Sequence, residues 1–171
     1  LNELERVFMR KYQEGFRRFM IVATAGTCLL GSVDDIRGIS DFIDQMRQKT
    51  GAEFYLHVDA SFGGFTIPFV SNGRVPIGFD VPNVMSMALD ADKMGHLTYP
   101  AGVFLCRKNL QRLISRSVAY VRGNEDDTVC GSRSALASVL AYYKYRKLGV
   151  SGQRAFVQKC LDGRNHLKRM I

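Results

Sequence analysis

Phe54-Tyr-Leu-His-Val-Asp59-Ala-Ser-Phe-Gly-Gly64 decides the architecture of this chain. A short, mostly apolar run ends on an acid and passes into small residues, the pattern of a buried strand whose carboxyl end opens toward a ligand. Working upstream, Gly51 stops a helix, whose buried stripe is Ile36, Ile39, Phe42, Ile43 and Met46. Gly31-Ser-Val-Asp-Asp35 predicts its start, with Ser32 as the N-cap and both acids in the first turn, complementing the helix dipole. Phe19-Met-Ile-Val-Ala-Thr24 is another apolar run, expected as a strand covered on both faces, and Ala25-Gly-Thr27 turns the chain after it. Leu4, Val7, Phe8, Tyr12 and Phe16 mark an amphipathic helix across Leu1 to Arg18. Downstream, Val84-Met-Ser-Met-Ala-Leu89 and Gly102-Val-Phe-Leu-Cys-Arg107 read as two further strands, close enough in sequence to pair as an antiparallel edge. From Asn109 onward the pattern is mainly helical, strongest over Ser132 to Lys147 and Gln153 to Met170. Together these predict an α/β fold with a mixed, mostly parallel sheet flanked by helices.

The 171 residues suffice for one core, and 46% hydrophobic with 23% charged residues is the balance of a globular protein. No apolar run approaches the ~18 residues of a membrane span. Leu1 to Arg18 lacks the apolar stretch and cleavage site of a secretory signal. Cys28, Cys106, Cys130 and Cys160 are irregularly spaced, without the C-x-x-C pairs or neighbouring histidines of a zinc site, so no metal is expected and a cytoplasmic location with reduced thiols is. Cys106 and Cys130 are expected as buried apolar side chains, and His57 as a packed core residue. The formal charge is +8, unevenly spread. Arg107, Lys108, Arg112, Arg116 and Arg122 form the basic stretch that a nucleic-acid binder would use, although solvated charge is the commoner meaning of such a stretch.

Three polar groups fall just at or after strand ends, where ligands gather in open α/β sheets: Thr27, Asp59 and Lys93. A buried carboxylate at position 59 needs either an arginine or a cationic ligand. Ala60, Ser61, Gly63 and Gly64 are small enough for a flat ligand to approach the backbone. Lys93 has two readings. Following an apolar strand, it is a desolvated amine that has lost proton affinity and become a nucleophile; with Asp90 and Asp92 it is a hydrated turn held by an ion pair.

Val22-Ala-Thr-Ala-Gly-Thr27, Gly31-Ser-Val-Asp-Asp-Ile36, Leu56-His-Val-Asp-Ala-Ser-Phe-Gly-Gly-Phe65, and Asp92-Lys-Met-Gly-His96 with Tyr99-Pro-Ala-Gly102 resemble, in order and spacing, the pyridoxal-phosphate-dependent group II amino-acid decarboxylases. The likeness extends through Cys130-Gly-Ser-Arg133 to His166-Leu167. It implies part of the large domain of a fold-type I transferase-like fold, pyridoxal 5'-phosphate as cofactor, an amino-acid substrate, and a homodimer with shared active sites. It also implies catalytic roles for Lys93, as the Schiff-base lysine, and for Asp59, as the partner of the pyridine nitrogen. Thr27 and Ser61 would lie against the cofactor, and Ser132 would reach the neighbouring subunit's cofactor phosphate. Residues 1–150 correspond to the C-terminal half of the large domain, and 151–171 to a helix leading toward a small C-terminal domain. Two departures stand out: family members are more than twice as long, and where they carry a phosphate-holding histidine before the lysine this chain has Asp92. Asp92 motivates the alternative of a catalytically degenerate paralogue or fragment that keeps fold and dimerisation.

Overall fold

The computed structural model describes residues 1–117, 125–126 and 134–171. In chain order the elements are α1 (Asn2–Gln13), β1 (Arg18–Thr24), α2 (Ile36–Thr50), β2 (Glu53–Asp59), the single-turn α3 (Ile67–Val70), β3 (Val84–Asp90) and β4 (Gly102–Cys106). A small ladder of β5 (Arg116–Ser117) with β6 (Glu125–Asp126) and a long α4 (Ala135–Met170) follow. The main sheet has the order β1-β2-β3-β4, parallel between β1, β2 and β3 and antiparallel between β3 and β4, as the sequence predicts.

Helix α1 stops at Gln13 rather than reaching Arg18, because Gly15 turns the chain at φ +102° and strand pairing already begins at Arg18. Its Phe8 is buried among the rings of Phe19, Phe42 and Phe54, with centroids 4.7, 5.8 and 5.3 Å away. Those contacts place α1 and α2 on the same side of the sheet, over Ala23, Leu56, Val58, Met87 and Leu89. This is where burial contributes most, at ~25 cal/mol per Å² of apolar surface removed from water.

The other side departs from expectation. Alternation along the strands sends Met20 and Val22, Tyr55 and His57, Ala88, and Phe104 to the opposite face. Met20 and Val22 are 66% and 54% exposed there, so among the described residues β1 is covered on one face only. His57 belongs to this open face and not to the core: its Nδ1 is 2.7 Å from Ser86 Oγ, and its ring stacks on Phe104.

The start of α2 also differs. Its N-cap is Asp35, whose carboxylate accepts from the Gly38 amide at 2.9 Å. Asp34 is outside the helix and accepts from the Thr24 amide at 2.7 Å, while Ser32 turns back to Thr27. The short Asp35 side chain reaches a first-turn amide, so Ser32, three residues earlier, has no helix to cap. Gly51 ends the helix at φ +69°.

Beyond β4, helix among the described residues is confined to the turn Gln111–Leu113 and to α4, which Gly149 interrupts (φ 59°, ψ −167°) between the two predicted helical stretches. Gln153 and Val157, past that break, are buried, so the start of the 151–171 segment packs onto this core. Arg107 leaves the basic stretch altogether. Its guanidinium donates to the carbonyls of Val84, Pro82, Val81 and Phe79 at 2.7 to 3.3 Å, which removes it from any nucleic-acid surface. Cys106 is half-buried, Cys28 and Cys160 are exposed, and Arg122 and Cys130 lie outside the described residues.

Candidate active site

The carboxyl ends of β1, β2 and β3 meet along one edge of the sheet, and their pairing runs on past the strands. The Ala25 amide donates to Asp59 O at 2.7 Å, Ala60 N to Ala88 O at 2.9 Å, and Asp90 N to Ser61 O at 3.3 Å. This ladder brings Asp59 and the Lys93 loop together. Asp59 has no arginine partner among the described residues; its carboxylate accepts from the Ser61 hydroxyl at 2.6 Å and the Ser61 amide at 3.0 Å. Those two bonds, the hydroxyl's first, hold its pKa below the ordinary carboxylate range against the opposing effect of burial; the charges of His57 and Lys93 add to them.

Lys93 is not the desolvated amine that one reading of the sequence expects. Its Nζ is 2.5 Å from Asp90 Oδ2 and lies 4.2 Å from the centre of the Phe62 ring. Proton affinity is raised, chiefly by the bond to Asp90 and then by the negative charges of Asp90, Asp92 and Asp59, with burial too slight to reverse it. The ion-paired turn is therefore present, and it stands at a strand end beside Asp59. Asp92 is half-buried and its carboxylate faces the Ala101 amide at 3.4 Å.

Thr27 is exposed, its hydroxyl 2.8 Å from Ser32 Oγ and accepting from the Ser32 amide at 3.1 Å. It lines a shallow depression of about 280 Å³ with Phe62, Gly63 and Met94. Thr27, Ser61, Asp59 and Lys93 thus share one edge, and Ser132 lies outside the described residues. The glycine pair has an internal reason that sequence reading missed. A Cβ on Gly63 would come 2.1 Å from Ala25 O, and one on Gly64 would come 2.4 Å from Leu89 Cδ2, so both glycines admit neighbouring protein atoms. Sequence reading also missed Phe62 as the floor of Lys93, and Lys144, Tyr145 and Gln153, which reach the lysine loop from α4. These lie some fifty or more residues from Lys93, and no local spacing marks them.

The family profile described as "Pyridoxal-dependent decarboxylase conserved domain" matches residues 1–171. The chain belongs to the pyridoxal-dependent decarboxylase family. A probable L-tyrosine/L-aspartate decarboxylase of Methanocella arvoryzae is 33% identical over 152 residues, covering 88% of this chain and 39% of that protein. The tryptophan decarboxylase of Clostridium sporogenes is 31% identical over 159 residues, covering 92% of this chain and 37% of that protein. Among solved structures, glutamate decarboxylase of Lactobacillus brevis superposes with a TM-score of 0.76 at 26% identity, over 88% of this chain and 35% of that one. The L-methionine decarboxylase of Streptomyces, at 17% identity and a TM-score of 0.78, shares the fold. The chain thus spans about two fifths of the length of the curated relatives it matches.

Family membership makes pyridoxal 5'-phosphate the cofactor, and the donor set fits its ring end. An ionised Asp59 can accept from a protonated ring nitrogen, Lys93 carries an amine able to reach the same edge, and Ser61 and Thr27 border it. The phosphate end finds no such support in these loops: across residues 25–33, 59–66 and 90–97, Lys93 is the one lysine or arginine.

Proposed function

We propose that this chain supplies the lysine-and-aspartate part of an active site that decarboxylates an L-amino acid to its amine and carbon dioxide. The observation that carries this is the presentation of Lys93 and an ionised Asp59 at adjoining strand ends of one sheet edge. When bound, the cofactor supplies an electron-poor ring able to take up the electron pair left as the carboxylate departs.

Each residue then has a task. Asp59, kept ionised by Ser61, holds a proton on the ring nitrogen, since an anion beside that nitrogen favours its charged form. Lys93 would hold the cofactor covalently through its amine and yield that place to the substrate's amine. Its proton must leave first, and Asp90, at 2.5 Å, governs that loss. Thr27, Ser61 and Ser132 are the further cofactor contacts. A homodimer with shared sites, and the division into large-domain residues 1–150 and a linking helix over 151–171, complete the reading.

Borohydride reduction of the full-length protein loaded with pyridoxal phosphate, followed by peptide mapping, tests it. The label is expected on Lys93, and a label confined to another lysine refutes the assignment. Asp92 supports a second reading, a degenerate site with weakened cofactor binding, because a carboxylate ~4 Å from a phosphate repels it by up to a few kcal/mol. Titration of wild type against Asp92→His separates the two, with equally tight binding by both removing the case for degeneracy.

A further inference from the structure

Helix α4 grips the loop that bears Lys93 from both sides of its own break. Before Gly149, Lys144 Nζ and Tyr145 OH donate to Gly95 O at 2.5 and 3.3 Å. After it, Gln153 Nε2 donates to Met94 O at 3.0 Å and, from the same nitrogen, to Phe65 O at 3.0 Å. Met94 directly follows Lys93, and Phe65 closes the turn that begins at Asp59. One buried amide therefore ties together the two segments that carry Asp59, Ser61 and Lys93.

The chemistry at this place selects an amide. Gln153 is 5% exposed, and both hydrogens of its nitrogen are committed to main-chain carbonyls. Among the described residues its buried Oε1 has no hydrogen-bond partner. An unpaired buried acceptor is costly, so a side chain that contributed only packing would be better apolar. What glutamine adds is a two-donor nitrogen between two loops. Around it, the Phe65 ring stacks on Tyr145 with centroids 5.9 Å apart, and Gly95 passes so close to Ala91 that a Cβ would lie 2.6 Å from Ala91 Cα.

We propose that Gln153 is a positioning residue, setting the lysine loop against the Asp59 turn so that Lys93 and Asp59 address the same cofactor ring. This rests on the function proposed above. Gln153 acts only through the carbonyls of Met94 and Phe65.

The experiment compares the full chain with Gln153→Met, which keeps the volume and loses both donors, and with Arg154→Met, an exposed neighbour whose guanidinium bonds to Asn72. Three quantities are read: cooperative unfolding, hydrogen exchange of residues 60–66 and 93–97 against that of α4, and the dissociation constant for pyridoxal phosphate with borohydride mapping of Lys93. Gln153→Met is expected to unfold cooperatively, to exchange about ten-fold faster in both loops while α4 is unchanged, and to bind the cofactor about 10- to 100-fold more weakly. Arg154→Met is expected to match wild type. Wild-type exchange in both loops together with wild-type affinity in Gln153→Met overturns the proposal, as does faster exchange confined to α4. If Gln153→Met does not unfold cooperatively, Gln153→Asn, an amide one methylene too short to span both carbonyls, is held to the same outcomes. A wild-type protein that takes no label on Lys93 defeats the functional reading instead, and the loop exchange of the variant then decides the positioning role alone.

Discussion

Replacing Gly63 by alanine tests whether the Gly63-Gly64 pair exists for the protein's own packing or for a ligand. The added Cβ would lie 2.1 Å from Ala25 O, 2.3 Å from Ile67 Cδ1 and 2.8 Å from Ala25 C. Ile67 can rotate away, but Ala25 is main chain at the end of β1, and its oxygen already accepts from the Gly63 amide at 3.0 Å. Real Cβ contacts essentially stop at 3.0 Å, so the turn must retreat by about 0.9 Å, enough to strain that bond. Overpacking of ~1–3 kcal/mol and a weakened backbone hydrogen bond of ~1 kcal/mol add to about 3 kcal/mol. For a chain of this size that lowers the thermal midpoint by about 6–12 °C. Gly64→Ala meets the Leu89 side chain at 2.4 Å and only grazes main chain, at Ala60 O, 2.9 Å away, and is expected to cost about 1–2 kcal/mol. Gly102→Ala has nothing within 4 Å and serves as the control, within about 0.5 kcal/mol of wild type. Urea and thermal unfolding without cofactor provide the measurement. If Gly63→Ala melts with Gly102→Ala, the packing argument is wrong and the ligand explanation for the pair returns.

Arg107→Met removes the guanidinium from the Val84, Pro82, Val81 and Phe79 carbonyls, of which Val81 keeps the Val84 amide at 3.1 Å, and is expected to destabilise by about 2–4 kcal/mol in urea titration. Ser61→Ala removes the 2.6 Å bond that helps depress the Asp59 pKa. A depressed carboxylate contributes stability above the unfolded-state pKa, and that contribution is lost as pH falls through the folded value. The deficit of Ser61→Ala is thus widest at neutral pH, about 1 kcal/mol after solvent screening, and closes in acid; a constant deficit across the range contradicts this assignment. Asp90→Asn takes away the main support of the Lys93 proton, so reductive methylation of Lys93 at fixed neutral pH is expected to quicken about two- to five-fold, read by peptide mass.

Local signals carried the order of elements because each is written in contiguous residues. The apolar runs ending at Thr24, Asp59 and Leu89 became β1, β2 and β3, and Gly51 ended α2 where its backbone freedom is needed. Periodicity could not say which side of a strand the rest of the molecule covers, which is why β1 was expected to be buried on both faces and His57 in the core. Placement of Asp59 and Lys93 at neighbouring strand ends was legible because strand ends are where a parallel sheet exposes its chemistry. The protonation of Lys93 was not legible. It depends on whether Asp90, three residues back, turns toward the amine, and both rotamers are compatible with the same sequence. Gln153 was hidden for a different reason: its partners are two main-chain carbonyls, and a carbonyl leaves no residue-type signature.

The electrostatics of the edge explain how a chain of formal charge +8 can present a site with the opposite bias. Asp59, Asp90 and Asp92 surround a single ammonium on Lys93, and the lysine's proton affinity rises accordingly. Such a site favours a cation at the ring-nitrogen end, where Asp59 is held ionised by two Ser61 donors. It disfavours a free phosphate dianion near Asp92, and the loops at this edge carry no further lysine or arginine to offset that. The two halves of one cofactor therefore make opposite demands on the same small surface. The geometry turns Asp92 toward the Ala101 amide at the base of β4 and Asp90 toward Lys93, while the Asp59 carboxylate accepts only from Ser61 among the described residues. On this argument the cations that hold the phosphate must come from outside residues 25–33, 59–66 and 90–97. Any residue that fixes the lysine loop against the Asp59 turn then also fixes where Asp92 stands relative to Asp59, which makes the alignment of these two segments as consequential as the identity of the side chains they carry.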